Sequence, residues 1–212
     1  MRVFVLSVVS CLALTVPAVA QTRRPLPPIV VDLRGFYSGL GRDLVTADDL
    51  LVLPDDMPGR ALGAVAGVHV YPLRGRSMSL GLGGEAVFAR AGAQTTPEDD
   101  DETLLPAVNQ RLRGLSGMMS LNFGSRDGWS YVSAGMGPLS FATYTGDTPP
   151  ADAPPSQMTI NFGAGARWFA WRRIAFAVDV RFYQTRPEVP SGSYGGRQRA
   201  SIRVLSAGIS VR

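Results

Sequence analysis

The sequence predicts an all-β fold, an eight-stranded antiparallel up-and-down transmembrane β-barrel with short turns at one end and long loops at the other. Apolar and polar residues alternate with period two in eight blocks, and such alternation is typical of strands with one apolar face. The connections between the blocks are alternately long and short. After residue 20, no stretch approaches the ~20 consecutive apolar residues of a membrane helix.

The first twenty residues have the features of a secretory signal peptide. Arg2 supplies the positive start, an apolar run extends to Val16, and the small-x-small triplet Ala18-Val19-Ala20 precedes Gln21. The single cysteine, Cys11, lies in this signal, so we expect no disulfide or thiol chemistry in the mature chain. The predicted organisation is a signal peptide at 1–20, a short N-terminal segment at 21–28 and the barrel at 29–212.

The predicted strands are long. Soluble strands usually have ~5–6 residues, whereas a tilted membrane strand needs ~9–11 plus its interfacial ends. In the third block, Met78, Leu80 and Leu82 lie on one face and serines and glycines on the other. The blocks are 29–41, 61–72, 77–90, 110–124, 129–143, 157–168, 173–185 and 199–212.

The lengths of the connections predict how the barrel sits in the membrane. Short periplasmic turns and long extracellular loops are typical of outer-membrane barrels, and 13 of the 17 acidic residues lie in the long connections. We interpret the acidic run Glu98 to Glu102 as a solvated loop. The short connections are 73–76, 125–128 and 169–172; the long ones are 42–60, 91–109, 144–156 and 186–198.

The formal charge of +4 does not indicate nucleic-acid binding. All 21 basic residues are arginines, and they are spread over turns, strand ends and inward positions. A nucleic-acid interface needs a concentrated basic surface. We therefore expect no nucleic-acid partner.

Aromatic residues near both ends of the strands predict two membrane-interface girdles. Near the short turns are Tyr71, Trp129, Trp168 and Trp171; near the long loops are Phe88, Phe141, Tyr144 and Phe182. Pro138 fits its strand badly because it has no N–H for the ladder. We expect a bulge there, or a strand that ends before residue 143.

Two segments resemble small outer-membrane β-barrel proteins of the OmpA-like and porin-superfamily kind. The glycine-rich strand Asn161 to Phe169 leads through a short turn into Ile174 to Tyr183. The last strand, which includes Ser206 to Arg212, is similar to the terminal strand of that family. The resemblance implies an eight-stranded barrel in the bacterial outer membrane, inserted by the barrel-assembly machinery. Members commonly end in an aromatic residue, whereas this sequence ends at Arg212. The family has no shared catalytic residues.

Six inward residues predict a charge network inside the barrel. Buried charges must be paired, and the interior of an eight-stranded barrel is just wide enough for side chains. We interpret the set as a structural salt-bridge network that fills the lumen, with glycines such as Gly81, Gly83, Gly163 and Gly165 leaving room for the arginines. A gate or ion path is the alternative. The six residues are Asp32, Arg34, Glu85, Arg167, Asp179 and Arg181.

Four arginines have the parity of lipid-facing residues but lie near the long loops. At headgroup height they could bind lipopolysaccharide phosphates through charge-assisted hydrogen bonds. The alternative is that they only mark the end of the membrane span. These residues are Arg90, Arg111, Arg113 and Arg203.

The predicted function is that of an integral outer-membrane protein, structural or surface-exposed, with a narrow salt-bridged lumen and no general pore. We expect a monomer in contact with lipid and lipopolysaccharide, with no catalytic residues, cofactor or metal. A lipid A-modifying enzyme is one alternative, although His69, the only histidine, has no recognisable nucleophile nearby in sequence. A secreted lipocalin-like barrel is the other, and it would require an apolar lumen and a polar exterior.

Overall fold

Eight antiparallel strands form one closed barrel in which each strand pairs with its sequence neighbours and β1 pairs with β8. The computed structural model describes residues 25–75, 77–94, 106–152 and 154–212. The predicted fold class is therefore confirmed. The predicted signal peptide and the acidic run 98–102 lie outside the described residues.

The eight strands occur where the alternation predicts them, and their ends differ from the predicted ends by at most three residues. The length of these strands follows from the unbroken period-two pattern, because one face of each strand is apolar along nearly its whole length. The strands are β1 (Ile29–Gly39), β2 (Arg60–Arg74), β3 (Met78–Ala93), β4 (Val108–Ser125), β5 (Gly128–Thr145), β6 (Gln157–Phe169), β7 (Ile174–Gln184) and β8 (Ser201–Val211).

The first long connection contains a helix that the sequence pattern did not predict. Helix α1 (Leu44–Asp49) is capped by Asp43, whose side chain accepts a hydrogen bond from the Val45 backbone N–H at 3.1 Å. A single 3-10 turn (Pro54–Asp56) follows. No helix in the described parts of the chain is both long and apolar enough to cross a membrane.

The outer surface of the barrel is apolar and the middle of its interior is charged. Leu33, Ile160 and Phe176 are each more than half exposed on the outside, whereas Asp32 and Arg34 are almost completely buried. Apolar side chains exposed in this way are stable in lipid, and a closed barrel satisfies its strand hydrogen bonds without water. A soluble lipocalin-like barrel would need the opposite polarity.

The expectation of a bulge or an early strand end at Pro138 is wrong. Strand β5 continues to Thr145, and its register with β4 is the same on both sides of the proline. The missing N–H is accommodated by a gap in the β4–β5 pairing, where Leu115 and Ser116 lie opposite Gly137 and Pro138. The register shifts instead between Val70 and Leu73 on β2, around Pro72.

The two predicted aromatic girdles are only partly present. Trp168 and Trp171 lie on the outside, 53% and 62% exposed, but Trp129 is 3% exposed and Tyr71 2%. Register explains the difference. Trp129 on β5 pairs with Arg167 on β6, and both side chains face inward. Trp168 follows Arg167 on β6 and therefore faces outward, because successive side chains of a strand point to opposite faces. Near the long loops, Phe141 packs against the interior apolar cluster and Tyr144 is buried against Tyr194.

The interior glycines make room mainly for side chains other than the arginines. A Cβ atom at Gly83 would lie 2.4 Å from His69 Nδ1, and one at Gly165 would lie 2.5 Å from the Tyr131 hydroxyl. A Cβ at Gly67 would lie 2.9 Å from the Glu85 side chain. The glycines thus let a histidine, a tyrosine and a carboxylate enter a lumen that is only eight strands wide.

Adjacent glycines on β3 provide a test of this packing. We expect Gly83→Ala to destabilise the barrel by about 1–3 kcal/mol, because the new methyl group would overlap His69 and the Val68 backbone. In Gly84→Ala, the new methyl group would face outward, 3.7 Å from its nearest neighbour, the Ser116 carbonyl oxygen. This substitution should change stability by less than about 0.5 kcal/mol. Urea unfolding in lipid vesicles measures both. Equal effects at the two positions would contradict the packing argument.

Candidate functional site

The middle of the lumen holds the six charged residues that the sequence places inward, and we call this set the charged belt. They project from β1, β3, β6 and β7. Each is at most 5% exposed, so their charges interact with one another and hardly with solvent. The charged belt consists of Asp32, Arg34, Glu85, Arg167, Asp179 and Arg181.

Four residues of the charged belt form a closed ring of alternating charge. Arg34 forms salt bridges with Glu85 and, at 3.4 Å, with Asp179. Arg181 contacts the same two carboxylates, at 3.5 Å for Glu85 and 3.2 Å for Asp179. Each guanidinium therefore lies between two carboxylates, and each carboxylate lies between two guanidiniums. This arrangement compensates for the desolvation that makes buried charge costly.

The remaining pair is linked to the ring through histidine. Arg167 binds Asp32 through two guanidinium nitrogens, with Nε at 3.1 Å from Oδ1, and the Ser210 hydroxyl donates to the same carboxylate. His69 Nε2 is 3.0 Å from Asp32 Oδ2 and 3.5 Å from Glu85 Oε1. The imidazole thus bridges the Asp32–Arg167 pair and the ring.

Three neutral side chains that the sequence did not single out complete the network. The Tyr131 hydroxyl donates to Asp179 at 2.9 Å, and its ring lies 4.5 Å from the Arg167 guanidinium carbon. Arg181 donates to Asn161 at 2.8 Å and to Ser133 at 3.1 Å. Their inward parity on β5 and β6 is a signal in the sequence that could have identified them.

Asp32, His69 and Glu85 bring ligand atoms within 4.8 Å of one another, as a metal site would. Both carboxylates are already bound by guanidiniums, Asp32 by Arg167 and Glu85 by Arg34. A divalent cation would have to displace these partners against the repulsion of nearby positive charges. The arrangement therefore favours a cluster of paired charges over a metal centre.

An aromatic plug closes the lumen below the charged belt, at the short-turn end. Trp129 stacks on Phe169 with ring centroids 5.4 Å apart and meets Tyr71 edge-on at 5.9 Å. Leu26, from the segment before β1, is 2% exposed and packs into the plug with Val30. The residues just before the barrel thus close its short-turn end.

Above the charged belt, the loop end of the lumen is filled by an apolar layer. It contains inward side chains from β1 to β5, β7 and β8, including Phe36, Val65, Leu112 and Val204, all at most 5% exposed. The lumen therefore has three successive zones: aromatic, charged and apolar. A continuous water path would have to cross all three.

Three of the four arginines assigned to the lipid surface lie together, and the fourth lies apart. Arg90 on β3 is directly opposite Arg111 on β4, and Arg113 is opposite Phe88. Arg203 is on β8, which is separated from β3 by β1 and β2. A further arginine, Arg60 on β2, is also exposed. It lies two residues before Leu62, which pairs with Arg90. Arg60 was not identified from the sequence.

A buried ion pair lies in the last long loop, at the mouth of the barrel. Arg197 donates to Glu188 at 3.0 Å and to the Phe141 carbonyl at 3.0 Å, and its guanidinium lies 4.7 Å from the Phe141 ring. Burial raises the pKa of the Glu188 carboxyl, although the positive charge of Arg197 opposes this shift. Burial also lowers the pKa of Arg197, against the attraction of Glu188.

No protein-family model and no curated protein matches the sequence. Among solved structures, Neisserial surface protein A is 11% identical, with a TM-score of 0.47 over 87% of this chain and 97% of that one. AlkL, an outer membrane protein, is 14% identical, with a TM-score of 0.43 over 92% and 94%. Ail of Yersinia pestis, solved with the heparin analogue sucrose octasulfate, is 11% identical, with a TM-score of 0.41 over 88% and 99%. These are similarities of fold, from which no function follows.

The Asp32–Arg167 pair offers a test of the charged belt. We expect Arg167→Met to lower the free energy of unfolding by about 3–5 kcal/mol, because it removes the main partner of a buried carboxylate. The double variant Asp32→Leu/Arg167→Met should recover more than half of this loss. As a control, Arg42→Met breaks the exposed Arg42–Asp55 pair and should cost less than about 1 kcal/mol. Urea unfolding in lipid vesicles gives all three values, and additive losses in the double variant would contradict the pairing.

Proposed function

We propose that the protein is a sealed outer-membrane barrel that supports its long loops at the cell surface and is neither a diffusion channel nor an enzyme. The observation that carries this proposal is the ring of Arg34, Glu85, Arg181 and Asp179, which joins strands on different sides of the lumen. Because each charge in the ring has two opposite neighbours, opening a pore would expose charges and break several salt bridges at once.

The location follows from the polarity of the barrel. Its apolar exterior fits a lipid bilayer, and closed barrels with short turns at one end and long loops at the other are typical of the bacterial outer membrane. Such a protein would depend on an exported precursor, as the sequence predicts, and on the barrel-assembly machinery, as the family resemblance implies.

The position of His69 argues against a lipid-modifying enzyme. The imidazole faces the lumen, 3% exposed, and contacts two carboxylates that are themselves held by arginines. A lipid-modifying site has to reach its substrate from the outer face of the barrel. A catalytic histidine there would lie near the lipid and beside a nucleophile.

We further propose that the three neighbouring outward arginines, Arg90, Arg111 and Arg113, bind lipid headgroup phosphates, as in lipopolysaccharide. Arg90 and Arg111 face each other directly, and like charges in that position repel unless an anion lies between them. They border an outer groove of about 330 Å3 that includes Leu62, Ala64 and Phe88. A phosphate on the arginines with acyl chains in the groove would satisfy both features.

Planar-bilayer recording tests the sealed lumen. The wild-type protein should give no discrete conductance steps. The variant Arg34→Ala/Glu85→Ala/Trp129→Ala/Phe36→Ala removes one ion pair of the ring and one aromatic side chain from each of the other two zones without changing the net charge, so it should leak ions. Heat-modifiable migration on a detergent gel checks that the variant is folded. Discrete openings of the wild-type protein would contradict the proposal.

Lipopolysaccharide retention tests the arginine surface. We expect Arg90→Gln/Arg111→Gln/Arg113→Gln to reduce the lipopolysaccharide that co-purifies with the barrel by roughly tenfold. A loss of about 1.4 kcal/mol of binding free energy is sufficient for this change. The matched control Arg126→Gln/Arg172→Gln/Arg173→Gln, at the short-turn end, should retain it. Arg203→Gln alone should have little effect because Arg203 lies on a distant strand. Similar losses in the two triple variants would exclude a specific surface.

A further inference from the structure

The mouth of the barrel encloses a pocket of about 390 Å3 between the long loops and the apolar layer. Apolar side chains line much of it, including Leu40, Met57, Phe141 and Ile202. Three of these four are at most 8% exposed, and Phe141 packs against the apolar layer. The volume lies within the usual range for small-molecule sites, and barrel mouths are common positions for them.

The rim of this pocket is held in place by hydrogen bonds between two loops. Asp43 accepts from the Gln198 backbone N–H at 2.6 Å, and Asp49 accepts from that of Gly196 at 2.8 Å. The Thr46 hydroxyl, on α1, donates to the Gly196 carbonyl. The helix and the 196–198 segment are therefore fastened together, so the pocket exists before a ligand enters.

Two residues that line the pocket each carry a buried polar atom that lacks a partner among the described residues. Gln110 is 3% exposed, and its Oε1 accepts no hydrogen bond. Arg197 is 7% exposed; its Nη atoms are bound to Phe141 and Glu188, but its Nε is unpaired. Buried polar atoms are normally paired, so an unpaired acceptor and an unpaired donor in one pocket point to a ligand.

We propose that this pocket binds a small, largely apolar alcohol or phenol. A hydroxyl group can donate to Gln110 Oε1 and accept from Arg197 Nε–H, and the hydrocarbon body would pack on Leu40, Phe141 and Ile202. A carboxylate has no proton to donate to Gln110, and the charge of Arg197 is already neutralised by Glu188. Binding here requires no passage through the lumen and is independent of the sealed-barrel proposal.

Fluorine NMR of 4-fluorophenol, with the full-length protein in lipid nanodiscs and empty nanodiscs as the reference, tests this assignment. We expect the wild-type protein to bind 4-fluorophenol about tenfold more tightly than 4-fluoroanisole, which has no hydroxyl proton, or 4-fluorobenzoate. Gln110→Leu should weaken phenol binding by about tenfold and abolish the preference over the anisole. The matched control is Gln157→Leu on β6, outside the pocket, which should bind as the wild type does.

A second variant makes the test independent of the folding of Gln110→Leu. Ala200→Phe places a large side chain at the rim, so it should abolish binding of all three probes while the barrel still migrates as a folded, heat-modifiable protein. Equal binding of phenol and anisole, preference for the benzoate, or unchanged phenol binding in Ala200→Phe would each overturn the proposal.

Discussion

The pairing of buried charges inside a lumen eight strands wide is the constraint on which the rest of this structure depends. Arg34 and Arg181 are each held between Glu85 and Asp179, so no one of the four can be lost without leaving an uncompensated charge. Because the lumen is so narrow, these side chains also fill it. In the sealed-barrel proposal, the same contacts both stabilise the barrel and close it.

The positions of the neighbours follow from this constraint. Tyr131 can reach Asp179 and cover Arg167 because Gly165 has no side chain in its way. Gly83 and Gly67 do the same for His69 and Glu85. With the centre filled, the aromatic plug and the apolar layer close the two ends of the lumen. Both binding proposals accordingly concern the outer surface and the mouth of the barrel.

The sequence predicted the strands well because period-two alternation over long blocks has no other common explanation. Parity alone also placed all six residues of the charged belt inside. The aromatic residues were predicted less well, because they were assigned by their distance from the turns rather than by parity. Trp129 and Trp168 are close to the same end, yet one faces the lumen and the other the lipid. Helix α1 was missed because its six residues are too few for a helical period to show.

Alternation and connection length determined the number of strands, their order and which face of each is apolar, since these are properties of a strand and its neighbours. The tertiary structure decided which inward residues meet. Arg34 and Asp179 are far apart in sequence, and their contact depends on the relative shift of strands around the closed barrel. The same holds for Gln110 at the mouth, whose Oε1 has no partner among the described residues, and for the direct opposition of Arg90 and Arg111. A shift of one residue between strands would turn such a side chain to the other face, so closure of the barrel settles these contacts.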